Sequence, residues 1–135
     1  VSVDLPLIHI ATETAKVVQK KNIKKVGLLG TKFTMELDFF KDKLSDLDIE
    51  TIIPEAEDRD FIHDTIFNEL GKGLILESTK ARYLSIIEKL IDNGAEGIIL
   101  GCTEIPLLVK QGMVTVPVFD TALIHSNAAV AFALS

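Results

Sequence analysis

The sequence predicts an α/β domain of three layers, in which a mostly parallel four-stranded sheet lies between two layers of helices. Four short aliphatic runs, at 24–30, 49–54, 95–102 and 116–120, are each followed by a segment with helical periodicity. The runs are uniformly apolar rather than alternating, as in strands that are buried on both faces. Strands and helices that alternate along a chain in this way form a parallel sheet covered on both sides.

The first strand, KKVGLLG at 24–30, ends in glycine and leads into a segment whose apolar residues recur at helical spacing. These residues are Met35, Phe39, Leu44 and Leu47. The pattern predicts one helix over 31–47. The second strand, IETIIP at 49–54, follows directly and ends at its proline.

Two helices are predicted between the second and third strands. Asp58 is the expected N-cap of the first helix and Ser78 that of the second. Their apolar faces consist of Ile62, Ile66 and Leu70 in the first helix and of Leu84, Ile87 and Ile91 in the second. Asn93 and Gly94 supply a left-handed stop at the end of the second helix.

The third strand, AEGIILGC at 95–102, is the most strand-like run in the sequence. A short helix is expected from about Glu104 to Lys110. VPVFD at 116–120 is the fourth strand, and an alanine-rich helix over 121–134 closes the fold.

Composition excludes several classes of function. The 135 residues are 47% hydrophobic, enough for one folded core, and carry a formal charge of -6. Because no segment gathers lysines and arginines into a patch, we expect no nucleic-acid partner. No apolar run approaches the roughly 20 residues of a membrane span, and we expect a cytoplasmic protein. One cysteine and three histidines without zinc-type spacing predict no metal site.

Three strand ends carry polar residues: LLGT after the first strand, GCTE after the third and VFDT after the fourth. In parallel sheets, ligands bind beyond the carboxyl ends of the strands, so these groups are expected to meet at one rim. Cys102, the only cysteine, lies there just before a predicted helix. The helix dipole and unpaired backbone N–H groups would lower its pKa and make it a nucleophile or a base. The alternative is a small, inert core residue.

At these residues the chain resembles the cofactor-independent aspartate/glutamate racemase family. GIILGCTEIPLL at 97–108 is similar to the second cysteine motif of that family, and the glutamate after the threonine is typical of the aspartate branch. KKVGLLGTKFTM resembles the Gly-Thr-x-x-Thr segment that opens the family's second domain, and VPVFDTALIH resembles its closing strand and helix. The resemblance spans nearly the whole chain.

The resemblance implies an isomerase that interconverts L- and D-amino acids by two-base proton transfer, without pyridoxal phosphate or another cofactor. Cys102 would be one of the two bases, and the other would lie in a first domain. Residues implied to bind the amino-acid substrate are Thr103, Gly30, Thr31, Thr34 and Lys72. Residues implied to support the site are Glu104, Asp120 and Thr121.

Each of these assignments has a structural alternative. Thr31 or Thr34 is equally explained as a helix cap, Lys72 as a solvated loop residue, and Asp120 with Thr121 as an ordinary helix start. The three histidines, His9, His63 and His125, are interpreted as surface, packing or satisfied structural residues.

The resemblance also implies a division of the chain. Residues 1–23 would be the end of a first-domain strand and a connecting helix, and 24–115 the second racemase-type domain. Residues 116–135 would be the closing strand and helix that pack back on the first domain. The family's first cysteine, in an Asn-Thr motif, is absent from this sequence. Members of the family are typically homodimers.

Three alternatives remain open. One is a racemase or decarboxylase acting on another α-substituted acid, such as a hydantoin or an arylmalonate. Another is a non-catalytic module that binds carboxylates or amino acids. The third, a flavodoxin-like regulatory domain, fits the fold class but leaves GCTE unexplained and lacks the acidic cluster of a receiver. The sequence leaves open which amino acid is preferred.

Overall fold

The structure, a computed structural model, describes residues 4–36 and 38–125, with side chains described from residue 10. The helices are α1 (Asp4–Lys20), α2 (Lys32–Glu36), α3 (Phe39–Ser45), α4 (Ala56–Asn68) and α5 (Glu77–Asp92). The strands are β1 (Lys25–Leu29), β2 (Glu50–Ile52), β3 (Gly97–Leu100) and β4 (Val118–Asp120). Short 3-10 turns occupy Leu70–Lys72, Ile105–Leu107 and Gln111–Met113, and residues 121–125 are helical. The rest of the closing helix predicted over 121–134 lies outside the described residues.

The strands form one parallel sheet in the order β2-β1-β3-β4. Leu29, the last residue of β1, is paired with Leu100, the last of β3, which is paired with Asp120, the last of β4. The predicted α/β fold with a four-stranded parallel sheet is therefore confirmed. The same register aligns three strand ends at one edge of the sheet.

Both faces of the central strands are buried. In β1, Leu29 packs in an apolar cluster with α4 and α5, and Leu28 packs in a second cluster with α1 and α3. In β3, Ile98 and Leu100 face the first cluster, whereas Ile99 faces the second. Successive side chains of a strand point to opposite faces, so a strand between two apolar layers requires apolar residues throughout. In the described part of the chain, none of the helices has the length and apolar character that crossing a membrane requires.

The single helix predicted over 31–47 is wrong, because two short helices occupy this segment. α2 ends at Glu36, and α3 begins at Phe39 with Asp38 as its N-cap. Met35 packs in the cluster with α4 and α5, whereas Phe40 and Leu44 pack in the cluster with α1. One straight helix would not deliver these side chains to opposite faces of the sheet.

The predicted N-caps of α4 and α5 are also wrong. α4 begins at Ala56 after Glu55, and α5 begins at Glu77 after Leu76, in both cases without a side-chain cap. The predicted stop after α5 is where it was expected: Gly94 has a left-handed φ of 103°, and the N–H of Ala95 donates to the carbonyl of Leu90 at 3.0 Å.

Asp58 joins α4 to α5 instead of capping α4. Its carboxylate is buried, with Arg82 Nη2 donating to one oxygen at 3.1 Å and Lys89 Nζ donating to the other at 3.4 Å. The Arg82 guanidinium also lies 4.5 Å from the centre of the Phe61 ring. Removing a buried hydrogen-bonded carboxylate is costly because its partners lose charge-assisted bonds.

We expect Asp58→Asn to lower the free energy of unfolding by about 1–2 kcal/mol, since the partner cations are partly exposed and screened by solvent. Urea unfolding measures the change. Asp64→Asn, an exposed position on the same helix, is the control and should stay within about 0.5 kcal/mol of the parent. Equal stabilities of the two variants would show that Asp58 does not hold α4 on α5.

Candidate active site

Three turns meet at the carboxyl edge of the sheet. Gly30 and Thr31 follow β1, Gly101 and Cys102 follow β3, and Thr121 follows β4. Because β1, β3 and β4 are neighbours in register, their carboxyl ends lie side by side. This sheet order therefore places the three turns together, as the rim predicted from the strand ends requires.

Thr34 lies between the first two turns. Its side chain is buried, and a Cβ added to Gly30 would lie 3.0 Å from the Thr34 Cβ and Cγ2 atoms. A Cβ added to Gly101 would lie 2.8 Å from Thr34 Cγ2 and 2.9 Å from the carbonyl oxygen of Leu29. The Gly101 N–H donates to that same carbonyl at 2.7 Å. The two turns are therefore in direct contact: Gly101 has no room for a Cβ atom, and a Cβ at Gly30 would press on the Thr34 side chain.

Thr31 caps α2, as the structural alternative for this residue expects. The Thr34 N–H donates to Thr31 Oγ1 at 3.3 Å, the two hydroxyls are 3.3 Å apart, and the Met35 N–H donates to the Thr31 carbonyl at 3.0 Å. The Thr31 hydroxyl faces the helix that it caps, and Thr34 is only 7% exposed. Both residues primarily fix the shape of the turn.

Cys102 is half-buried against the apolar cluster of α4 and α5. Burial raises the pKa of its thiol to about 11, and the Glu104 carboxylate beside it acts in the same direction. The backbone N–H groups of Ile105 and Glu104 bond to the sulfur and favour the thiolate, but they do not outweigh burial. The expectation of a lowered pKa is therefore wrong for this chain.

The turn after Cys102 is also shorter than predicted. The helix expected from Glu104 to Lys110 is a 3-10 turn over Ile105–Leu107. So short an element has little dipole to stabilise a thiolate, because the macrodipole arises from many aligned peptide groups. This is a physical reason for the failed pKa expectation.

Thr121 and Asp120 fix the third turn. Thr121 Oγ1 donates to the carbonyl of Leu100 at 3.0 Å, two residues before Cys102. Asp120 Oδ1 accepts a hydrogen bond from the Leu123 N–H at 3.1 Å, at the start of helical residues 121–125. Thr121 therefore ties the start of the closing helix to the strand that ends at Cys102.

Two of the implied substrate-binding residues are exposed. Thr103 lies next to Cys102, and its side chain has no hydrogen-bond partner among the described residues. Lys72 ends the 3-10 turn after α4, and it forms no ion pair within the described part of the chain. Among the residues that the structure describes, no hydrogen bond or ion pair joins Lys72 to the rim turns.

His63, which the sequence analysis interpreted as a surface or packing residue, contacts the first turn. Its Nδ1 accepts a hydrogen bond from the Lys32 backbone N–H at 3.0 Å. Its ring lies 4.9 Å from that of Phe67, one turn further along α4. No local pattern indicates this contact, because Lys32 and His63 are 31 residues apart.

Tyr83 and Thr65 form a second polar feature that the sequence analysis missed. Their hydroxyls are 2.7 Å apart, and the Tyr83 hydroxyl lies 3.2 Å from the Ile62 carbonyl that can accept its proton. Tyr83 is fully buried in the cluster against which Cys102 packs, and burial raises the pKa of its phenol. Among the residues that the structure describes, no group of three or more His, Cys, Asp or Glu side chains is placed to hold a metal ion.

The contact between the turns gives a stability prediction. We expect Gly101→Ala to lower the free energy of unfolding by about 1–3 kcal/mol, because its methyl group would overlap Thr34 and the Leu29 carbonyl. Gly112→Ala is the matched control, since an added Cβ there meets open space.

Adding Thr34→Ser to Gly101→Ala removes the Cγ2 atom and should recover part of the loss. Thermal or urea unfolding of the four chains tests the contact. A Gly101→Ala chain as stable as the Gly112→Ala chain would contradict it.

The raised pKa of Cys102 gives a second prediction. The rate of alkylation by iodoacetamide should rise with pH and reach half of its maximum only near pH 11, because the thiolate is the reactive form. Glu104→Gln removes the neighbouring charge and should lower the apparent pKa. Glu88→Gln, exposed on α5, should leave the profile unchanged. A parent profile centred at the ordinary value of 9.0 would show that burial does not control the thiol.

Residues 2–129 match the Asp/Glu/Hydantoin racemase family. A candidate Asp/Glu racemase from Yersinia pestis is 44% identical with a TM-score of 0.90, over 95% of this chain and 56% of that one. An aspartate racemase homologue from Pyrococcus horikoshii OT3 is 38% identical with a TM-score of 0.85, over 93% and 55%.

The aspartate racemase of Picrophilus torridus is 28% identical with a TM-score of 0.62, over 89% of this chain and 52% of that one. The chain thus spans about half the length of these proteins. The resemblance seen in the sequence is therefore confirmed over almost the whole chain. The chain belongs to the Asp/Glu/Hydantoin racemase family.

Proposed function

We propose that this chain is part of an amino-acid racemase of the aspartate type that uses no pyridoxal phosphate and has Cys102 as one of two bases. The observation that carries the proposal is the position of the thiol. It follows β3 at the carboxyl edge of the sheet, in a turn that Thr34 and Thr121 hold against the neighbouring strand ends. In open parallel sheets this edge is where ligands bind. The similarity to one aspartate racemase and to an aspartate racemase homologue supports aspartate as the substrate.

Inversion at an α-carbon requires one group to remove a proton from one face and another to deliver a proton to the opposite face. With a pKa of about 11, the Cys102 thiol keeps its proton at neutral pH. It is therefore suited to deliver that proton to the α-carbon after an opposite base has taken the substrate's own. Cys102 would then be a thiolate, which the N–H groups of Glu104 and Ile105 stabilise, ready for the reverse reaction.

The residues around the thiol divide into binding and positioning groups. Thr103, exposed beside Cys102, would bind the substrate carboxylate through its hydroxyl or backbone N–H. Gly30, Thr31 and Thr34 would form the wall of the same pocket by fixing the first turn, and Glu104 would set the protonation of the thiol. Lys72 would face the distal carboxylate, a role whose support is the sequence resemblance alone.

The proposed enzyme contains more than the described residues. We propose that residues 1–23 connect a first domain to the racemase-type domain at 24–115, and that 116–135 pack back on the first domain. The opposite base would lie in that first domain. The assembly would be a homodimer, in keeping with large apolar side chains on the surface: Phe67, Leu74, Ile75 and Leu76 are 44–57% exposed.

A second candidate is a non-catalytic module that binds amino acids or carboxylates. The observation in its favour is the raised pKa of Cys102, because a thiol with this pKa is almost entirely protonated at neutral pH. A racemase or decarboxylase acting on another α-substituted acid is a further possibility within the family, whose description includes hydantoin as well as Asp and Glu. A substrate screen separates it from the leading proposal.

The test is exchange of the α-proton of L-aspartate in deuterated water, followed by NMR with the full-length protein. The parent should exchange the proton and form D-aspartate. Cys102→Ser should lower the rate by about 10²–10⁴-fold, the usual contribution of a positioned acid or base. Ser85→Ala, exposed on α5, is the control and should keep the parental rate.

Two results would contradict the proposal. Parental exchange in Cys102→Ser would remove the thiol from the reaction. Binding of aspartate without exchange of its α-proton would favour the non-catalytic module. Intact-mass measurement of the same sample establishes which polypeptide carries the activity.

A further inference from the structure

His63 contacts the main chain of the turn that precedes α2. Its Nδ1 accepts the N–H of Lys32, the first residue of α2, at 3.0 Å. Because Nδ1 accepts, the neutral imidazole carries its proton on Nε2. The bond joins two elements that are distant in sequence, the β1–α2 turn and the middle of α4.

The first turn of a helix has N–H groups without partners inside the helix. Here Thr31 Oγ1 accepts the N–H of Thr34, and His63 accepts the N–H of Lys32. These two acceptors lie on different elements, one on the turn itself and one on α4. Together they fix the backbone from Lys32 to Thr34, directly after Thr31.

Two ion pairs also connect α2 to α4: Lys32 with Asp60 and Glu36 with Arg59, with nitrogen–oxygen distances of 2.5 and 3.2 Å. Both pairs join partly exposed side chains, which move easily and are screened by solvent. The His63 bond differs because it holds the backbone itself. The ring is in turn kept in place by its contact with Phe67.

We propose that His63 is a positioning residue for substrate binding, which holds the Gly30–Thr31–Lys32 turn so that the wall of the pocket beside Cys102 keeps its shape. This inference rests on the proposed function, because it assigns that turn to the substrate pocket. His63 acts through the Lys32 N–H, and no contact with substrate is assigned to it. Loss of the bond would release the turn and weaken substrate binding, leaving the thiol chemistry intact.

Two conservative substitutions distinguish the role of Nδ1 as an acceptor from the role of the rest of the His63 ring. The side-chain oxygen of asparagine reaches the position of Nδ1, whereas glutamine extends its amide toward the position of Nε2. We therefore expect His63→Asn to keep the parental KM for L-aspartate and His63→Gln to raise it about 3- to 10-fold, with kcat within a factor of about two.

His63→Leu removes every acceptor and should behave as His63→Gln does. Asp60→Asn is the matched control: it breaks the side-chain pair of Lys32 but leaves the N–H bond intact, so its KM should equal that of the parent. Parental KM values in both His63→Gln and His63→Leu would overturn the inference, and so would a rise in KM for Asp60→Asn as large as theirs.

A second readout keeps the inference testable if the proposed function fails. Hydrogen exchange of the Lys32 amide, followed by NMR, should be fast in His63→Gln and slow in the parent, in His63→Asn and in Asp60→Asn. If the full-length parent shows no α-proton exchange, the dissociation constants of L-aspartate across the same variants replace KM. The same ranking would then support the positioning role without catalysis. Equal dissociation constants, no binding by the parent, or an unprotected Lys32 amide in the parent would overturn it.

Discussion

The side chain of Thr34 fills the space between two backbone turns that come from distant parts of the sequence. Gly101 approaches it so closely that it has no room for a Cβ atom, and a Cβ at Gly30 would press on the same side chain. The placement of Cys102 depends on this contact, since the thiol follows Gly101 directly. Packed interiors yield little to added atoms, so the separation of the two turns is fixed by the size of one threonine. The caps from Thr31 and His63 hold the short helix that carries it.

Opposing effects act on the Cys102 thiol. Two backbone N–H groups favour the thiolate, whereas burial against the α4 and α5 cluster and the Glu104 carboxylate favour the thiol. Burial prevails. The thiol of such a site stays protonated at neutral pH. A cationic group that enters near Glu104 would shift the equilibrium toward the thiolate.

The strands could be predicted because a strand that is buried on both faces contains consecutive apolar residues, such as Leu28 and Leu29 or Ile98 and Ile99. The convergence of polar residues at one edge followed from the sheet order. The division between α2 and α3 could not be predicted, because Met35 and Phe39 keep helical spacing while packing on opposite faces of the sheet. The contacts of Asp58 and His63 could not be predicted, since their partners lie 24 to 31 residues away in sequence. The pKa of Cys102 depends on burial that only the packed structure defines.

The pairing of β1 with β3 has a consequence for the order of events during folding. Leu29 and Leu100 are neighbours in the sheet although β2, α4 and α5 lie between them in sequence. Contacts of such long range form only after the intervening segment has been compacted. Until then Cys102 is an ordinary solvated thiol, open to oxidation and alkylation. Closure of the sheet packs it against the apolar cluster and raises its pKa, so the step that assembles the rim also protects its cysteine.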